Sequence, residues 1–486
     1  MRGLRIVAAA ATGAALALAA LLVGCSTRNA LVPNLPPETI LFVQGPVDTV
    51  NHVVHLFWFG TDQDGFVQGF ELRFLNPANP ADTMWQFTTS TDSLFTVFTP
   101  AGLTTPVFEV RAIDDAGAVD PSPARQTFTF SNVPPSVALI DAPGAADTTF
   151  ASLTLRWQPS DPDGDAGRMT YRVWLDGNQA SPRMTAATRF TIPTDDFRGT
   201  GGALTSGFRT VYVQPIDGGG MAGAPDSTRW FVRAPVAGTR ARLLIIDDVP
   251  GFNPAGFSID TMYTNAAARN IPNDEWSILR LEFTQPFDSD EDVAQTLSLF
   301  EAVIWYRGTE PSADGRPLFS AVMSDYEQGI RDYIDQGGAI MLESLNLIDG
   351  LNAPGALSQD FMRTYLDADR LLHNFDAAAQ DSTASWGVSN ARVLRSSMYQ
   401  DSVRIQGIYG GLRALAVNDT SRVALWARAG TLSSPHDFDI PVAVSVPRPG
   451  GGRVVAFTVP MRAMNGYLTV PRILPQILEQ MGILGP

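Results

Sequence analysis

The chain has 486 residues, a formal net charge of −16, one cysteine and 45% hydrophobic residues. That length and apolar content predict about three domains with packed cores, at the usual ~100–200 residues each. The acidic balance argues against nucleic acid or an anionic membrane surface as partner, and the absence of any lysine excludes Schiff-base and lysine general-base chemistry.

The chain opens with Arg2 and Arg5, followed by an apolar run from Ile6 to Val23 that closes on Leu22-Val23-Gly24-Cys25. A charged start, an apolar core and a small residue before a cut site form a secretory signal. A plain membrane anchor is the other reading, because the run approaches the ~20 apolar residues that span a bilayer. Either places the rest of the chain outside the cytoplasm. The last four residues resemble the lipobox of bacterial lipoproteins. That resemblance implies a signal peptide over 1–24, cleavage before Cys25, lipid on its thiol and a lipid-anchored tether over 25–35. Ser26, rather than an aspartate, follows the cysteine; by the same resemblance this favours the outer over the inner membrane, with the body of the protein periplasmic or surface-facing in the cell envelope. With Cys25 so used, the mature chain can form no internal disulfide, and each domain must stand on its own core.

The next two hundred residues repeat. Asn34-Leu35-Pro36-Pro37 returns as Asn132-Val133-Pro134-Pro135, Trp58 as Trp157, Asp62-Gln63-Asp64-Gly65 as Asp161-Pro162-Asp163-Gly164, and Arg111-Ala112-Ile113-Asp114 as Gln214-Pro215-Ile216-Asp217. Each unit is therefore about a hundred residues, bounded at 36–132 and 133–235. Leu153, Leu155 and Trp157 alternate with Thr154, Arg156 and Gln158, which predicts a half-buried strand with the second set turned outward. Tyr171, Val173 and Leu175 form the next inward set, and strands follow at Phe190–Ile192 and Val211–Ile216. Short strands separated by Gly, Pro and Asp predict two all-β sandwiches. The inward Trp, the D-x-D-G turn and the late strand ending in Ile-Asp resemble fibronectin type III and related Ig-like modules. In the first unit Val54, Leu56 and Trp58 should point inward, which turns Phe57 and Phe59 outward. Two outward Phe are either covered by another part of the chain or form a protein contact face. The turns place Asp62 and Asp64, and Asp161, Asp163 and Asp165, at alternate positions that suit calcium. No EF-hand glutamate follows at the right spacing, and Asp and Gly also build ordinary turns.

From Ala241 the pattern changes. Arg242 to Ile246 is a continuous apolar run ending in Asp247-Asp248, the mark of a strand buried on both faces. Helices near 257–268, 292–300 and 326–336 alternate with strands at 276–281, 302–306 and 339–342. A less regular insertion spans 350–420. Strands recur at 423–426, 442–446 and 454–459, Gly450-Gly451-Gly452 between the last two reads as a hairpin turn, and a helix over 474–481 closes the chain. Alternation predicts an α/β domain over 240–486 with a mostly parallel sheet covered by helices on both sides. The Leu-Leu-Ile-Ile-Asp-Asp start, the Ala-Val-Ile-Trp-Tyr-Arg-Gly strand and Ile-Asp-Gln-Gly-Gly-Ala-Ile-Met-Leu-Glu-Ser resemble the flavodoxin-like, class I glutamine amidotransferase-like fold.

Enzymes of that family carry a cysteine nucleophile on a glycine-flanked turn and a later histidine. Here no cysteine follows Cys25. Ser344 stands near the corresponding place without the flanking glycines, and His373 and His436 are the histidines that remain in the domain. The polar residues expected at the carboxyl ends of the strands are Asp247, Asp248, Arg307, Glu343 and Ser344. They either line a ligand cleft or cap helices and pair with one another. Asp247 and Asp248 are adjacent and should point opposite ways. No Rossmann or Walker phosphate loop is present. The sequence thus predicts a membrane-tethered, non-catalytic binding or scaffold lipoprotein without an obligatory cofactor, held to the membrane through Cys25 and bound to an envelope protein or glycan. The competing expectation is an envelope hydrolase acting on carbohydrate or ester substrates through the α/β cleft.

Overall fold

The computed structural model describes residues 33–43, 53–76, 84–97, 99, 102–162, 166–199, 201–235, 240–248, 260–281, 287–307, 322–344, 347–348, 356–372, 386–388, 393–396, 398–399, 403–404, 409–412, 414–429, 438–461 and 470–485. Two compact units result. One holds the chain up to Pro134 with the loops Asp161–Gly167 and Asp217–Ala222; the other holds Pro135–Ser160, Arg168–Ile216 and Gly223–Pro486.

The first unit is built on a β-sandwich. β1 (Glu38–Val43), β2 (Val53–Thr61) and β5 (Asp92–Thr96) form one antiparallel sheet in the order β1-β2-β5. β3 (Val67–Leu75), β4 (Gln86–Thr88), β6 (Val107–Asp114) and β7 (Ala124–Thr127) form the other in the order β4-β3-β6-β7. The period of two does the sorting. Val54, Leu56 and Trp58 are buried against Phe70, Phe108 and Val110, each full burial of such a side chain being worth ~1.5–3 kcal/mol. The Trp58 indole donates to the Ser90 carbonyl at 2.9 Å, so its one polar atom is satisfied inside the core.

The second unit contains another sandwich. β8 (Ser136–Ile140), β9 (Leu153–Ser160) and β12 (Arg189–Ile192) form a sheet in the order β8-β9-β12. β10 (Thr170–Leu175), β11 (Arg183–Thr185), β13 (Gly207–Ile216) and β14 (Asp226–Val232) form the facing sheet in the order β14-β13-β10-β11, and the short strand Thr148–Thr149 joins it in parallel at the β14 edge as a fifth. Leu153, Leu155 and Trp157 are buried, as are Tyr171 and Val173.

The same unit continues into an α/β domain with a nine-stranded sheet. Its elements are β15 (Ala241–Asp248), α1 (Asp260–Asn270), β16 (Trp276–Arg280), α2 (Asp290–Ser298), β17 (Phe300–Arg307), α3 (Glu327–Asp335), β18 (Ala339–Glu343), α4 (Gln359–Tyr365), β19 (Val393–Ser396), β20 (Val403–Arg404), β21 (Val423–Ala429), β22 (Phe438–Pro447), β23 (Arg453–Phe457) and α5 (Val470–Gln480). The order is β16-β15-β17-β18-β23-β22-β21-β19-β20. Numbered along the chain, the first five strands run 2-1-3-4-5 and pair in parallel. β15, β17 and β18 are buried almost throughout, as a parallel sheet covered on both faces requires. Tyr263, Ala266 and Ala267 of α1 and Ile473, Leu474 and Ile477 of α5 share a core with alternate residues of the sheet.

One expectation needs correction. The sheet is mixed rather than mostly parallel: β22 turns back on β23, and β21, β19 and β20 extend the sheet in antiparallel pairs. The reversal follows from Gly450 and Gly451, whose φ of +92° and +97° suit a tight reversal that glycine alone adopts without strain. Within 350–420 the described residues include α4 and the strands β19 and β20.

Thr154 departs from the expected alternation, being buried at 2% exposure. Its hydroxyl lies 2.7 Å from that of Ser289, the N-cap residue of α2. The outer face of the β8-β9-β12 sheet is therefore covered by the start of α2. Arg156 pairs with Asp288, the Thr194 N–H donates to Gln295 Oε1 at 2.5 Å, and Phe150 meets Phe300 edge-on at 5.3 Å. Asp292, fully buried in this contact, has its carboxyl pushed up to about 6 by burial, against the opposing pull of Ser152 and the Thr154 backbone.

Candidate functional site

The parallel strands deliver their last residues side by side. Register pairs Asp247 with Tyr306 and Asp248 with Arg307, then Tyr306 with Glu343, and Glu343 with Phe457. All of these are buried, Asp247 and Arg307 being the most exposed at 7%. Alternation divides them between the two faces of the sheet. Asp247, Tyr306 and Glu343 fall on the α1 side. There the Tyr263 hydroxyl donates to Glu343 Oε2 at 2.5 Å, and the Tyr263 ring stacks on Tyr306 at 4.3 Å. Asp248, Trp305 and Arg307 fall on the opposite side. The Trp305 indole N–H donates to Asp248 Oδ2 at 3.4 Å, a long bond. Burial pushes the Asp248 carboxyl up to about 7; the Arg307 charge and the indole pull it down, and Asp247 adds to the rise. Burial lowers the Arg307 guanidinium, with Asp248 opposing.

Ser344 is 1% exposed, and its N–H donates to the Phe457 carbonyl at 3.1 Å, continuing the β18–β23 ladder. His373 and His436 lie outside the described residues, as does Cys25. The five residues expected at the strand ends are thus brought to one edge of the sheet on two faces. Sequence reasoning missed Tyr263 and Trp305, the donors that reach the two acids. Tyr263 lay in a segment read only as helical, and nothing in its spacing marked it. A groove of about 620 Å³, also unanticipated, lies away from the strand ends and is lined by Arg183, Met184, Arg189, Phe190 and Glu291, among others.

The acidic turn of the first module bonds to its own chain. Asp64 accepts from the Leu35 N–H at 3.1 Å, and Asp115 accepts from the Phe66 N–H. Burial first, then Asp64 and Asp114 beside it, raise the Asp62 carboxyl. Asp163 and Asp165 lie outside the described residues. Among the described residues no group of three or more His, Cys, Asp or Glu is arranged to hold a metal ion.

The repeated Ile-Asp pairs close turns. Asp114 Oδ1 accepts from the Ala118 N–H at 2.7 Å, and Asp217 Oδ1 from the Met221 N–H at 2.8 Å. Asn34 adds a bond to Asp114 Oδ2 at 2.6 Å, which leads the causes lowering that carboxyl.

Phe57 is half-buried and Phe59 is 39% exposed on the outer face of the β1-β2-β5 sheet. Phe42 on β1 stacks on Phe59 at 5.4 Å. Ile40 and Leu94 share that face by register.

No protein-family model and no curated protein matches the sequence. Among solved structures, the chain is similar to the fibronectin(III)-like modules of Clostridium thermocellum CbhA, at 17% identity, covering 40% of this chain and 94% of that one, with a TM-score of 0.20. It is also similar to a two fibronectin type III domain segment of chicken tenascin, at 16% identity, covering 40% of this chain and 97% of that one, with a TM-score of 0.17. The PKD1 domain of Vibrio anguillarum Epp matches at 19% identity over 20% of this chain and 96% of that one, with a TM-score of 0.15.

Proposed function

We propose that this chain is a membrane-tethered, non-catalytic binding or scaffold lipoprotein of the bacterial cell envelope, more readily of the outer membrane. Two fibronectin type III-like modules would carry an α/β domain of flavodoxin-like, class I glutamine amidotransferase-like descent. The sandwiches of three strands facing four and three facing five, and the 2-1-3-4-5 order of the parallel strands, support those finer assignments. The load would be an envelope protein or a glycan, calcium and other cofactors playing no required part.

One observation carries the non-catalytic reading. The acids at the strand ends are occupied from within, Glu343 by the Tyr263 hydroxyl and Asp248 by the Trp305 indole, in buried positions. Such bonds from within the domain support a bracing role for these carboxyl groups at the ends of the parallel strands. The chain's one cysteine is at position 25, so the α/β domain has no thiol nucleophile. The test uses the full chain, a fluorophosphonate probe and immobilised cell-wall glycan or envelope extract. The expected result is saturable retention with Ser344 unlabelled. Labelling of Ser344, together with ester or glycan hydrolysis that disappears in Ser344→Ala, would reverse this reading in favour of the hydrolase.

A further inference from the structure

We propose that the outer face of the β1-β2-β5 sheet, formed by Ile40, Phe42, Phe57, Phe59 and Leu94, seats on the neutral lipid bilayer that holds Cys25. The proposal rests on the reading of Cys25 as the lipidated residue, and it adds a second membrane contact that the anchor alone does not imply.

The face is contiguous. Register sets Ile40 against Phe59 and Phe42 against Phe57, with His55 against Leu94 on the next strand. It is also open: Ile40 is 42% exposed, Phe42 49%, Phe59 39% and Leu94 65%. The same strands bury Leu56 and Trp58 on their other side, so a change of register that hid the phenylalanines would expose the core. Adjoining apolar side chains left in water on three strands mark an interaction surface rather than scattered surface residues.

Charge and chain length select the occupant. On these strands the ionisable neighbours of the patch are Glu38, Asp92 and His55, and the last two pair with each other at 2.8 Å. With no arginine among them and the one imidazole paired with Asp92, the face lacks what would draw it to anionic headgroups or to an acidic partner; the net charge of −16 works in the same direction. What remains is apolar insertion into uncharged lipid, which scales with buried apolar area. Glu38, the first residue of β1, lies thirteen residues after Cys25. A fully extended chain of that length reaches ~45 Å at most. The first sandwich is thus confined near the bilayer surface, where a weak apolar contact becomes effectively intramolecular. Ile40 and Phe42 stand on β1 itself, the strand nearest the anchor along the chain.

The experiment places the lipidated full chain in phosphatidylcholine vesicles. Because the Cys25 thiol is blocked by its lipid, Leu94→Cys supplies the one free thiol for an environment-sensitive dye. The expected result is a blue-shifted emission that falls when the lipid is replaced by acyl-brominated phosphatidylcholine, and that returns to its water-exposed value in Phe42→Ser/Phe59→Ser. The same dye at Met184→Cys, on β11, should not respond. A chain that floats with the vesicles while its Leu94→Cys dye stays in water overturns this proposal alone. A dye that is shielded but indifferent to brominated lipid also overturns it, pointing to a second copy on the face. Failure to float removes the anchor and this proposal together.

Discussion

Asp114 and Asp292 are both buried aspartates, and they make opposite demands on pH. Asp114 accepts bonds from Asn34 and from the N–H groups of Ala116 and Ala118, and its carboxyl is held below the ordinary 3.8. Its contribution is present above that value and is lost as acid protonates it. Asp292 is raised from 3.8 to about 6, so the folded state holds its proton more tightly than the unfolded one. Its contribution is full below the unfolded value and is lost as pH rises through about 6. Asp248, pushed up to about 7, acts in the same direction. Urea unfolding of the full chain should therefore show the transition containing the α/β domain weakening between pH 4 and 7. Asp292→Asn, which keeps the shape without the charge, should flatten part of that slope and strengthen the fold at neutral pH by on the order of 3 kcal/mol. A slope unchanged by Asp292→Asn would show that the carboxyl is ionised at no cost. The two aspartates were not equally legible. Asp114 recurs as Asp217 in the repeat, a pattern visible in the sequence. Asp292 lies in an acidic run that reads as an ordinary helix start, and its burial depends on Thr154, far away in the chain.

Helices α2 and α3 approach more closely than side chains usually allow, and Gly329 is the reason. A Cβ there would meet the Asp290 carbonyl oxygen at 2.3 Å and the Val293 Cβ at 2.9 Å. The Gly329 N–H also donates to Asp290 Oδ1 at 2.9 Å. Because backbone cannot give way cheaply, Gly329→Ala should destabilise the fold by ~1–3 kcal/mol despite its better helix propensity. Denaturant titration at constant slope measures this, and a neutral or stabilising result would mean that the helices can part. At this scale the sequence spoke clearly about strands with a one-sided environment. Val54, Leu56 and Trp58 against Phe57 and Phe59 could be sorted by alternation alone. It spoke clearly again at Gly450-Gly451-Gly452, read as a hairpin turn and found between the antiparallel β22 and β23, and poorly where a face is covered by a distant element, as with Thr154. Ile40, Phe42 and Leu94 also alternate, but their shared face with Phe59 depends on pairing that a single strand does not encode.

Across the whole molecule, the proposed function is distributed by position along the chain rather than gathered at one reactive centre. An N-terminal segment suited to export and lipidation precedes the sandwiches, and the α/β domain closes its strand-end acids with its own tyrosine and tryptophan. The order of the two sandwiches and the α/β domain was legible because repeats, turn residues and a change of period mark their borders. The donors that occupy Glu343 and Asp248 were not, since they come from a helix and a strand interior whose packing only the fold defines. The claim on which the function turns is the tether. Cells fed radiolabelled palmitate, fractionated with wild-type protein and with Cys25→Ser, measure it directly. The account predicts label and membrane recovery for the wild type, and neither for the variant. Palmitate incorporation that survives Cys25→Ser, or a wild-type protein recovered unlabelled, would contradict it.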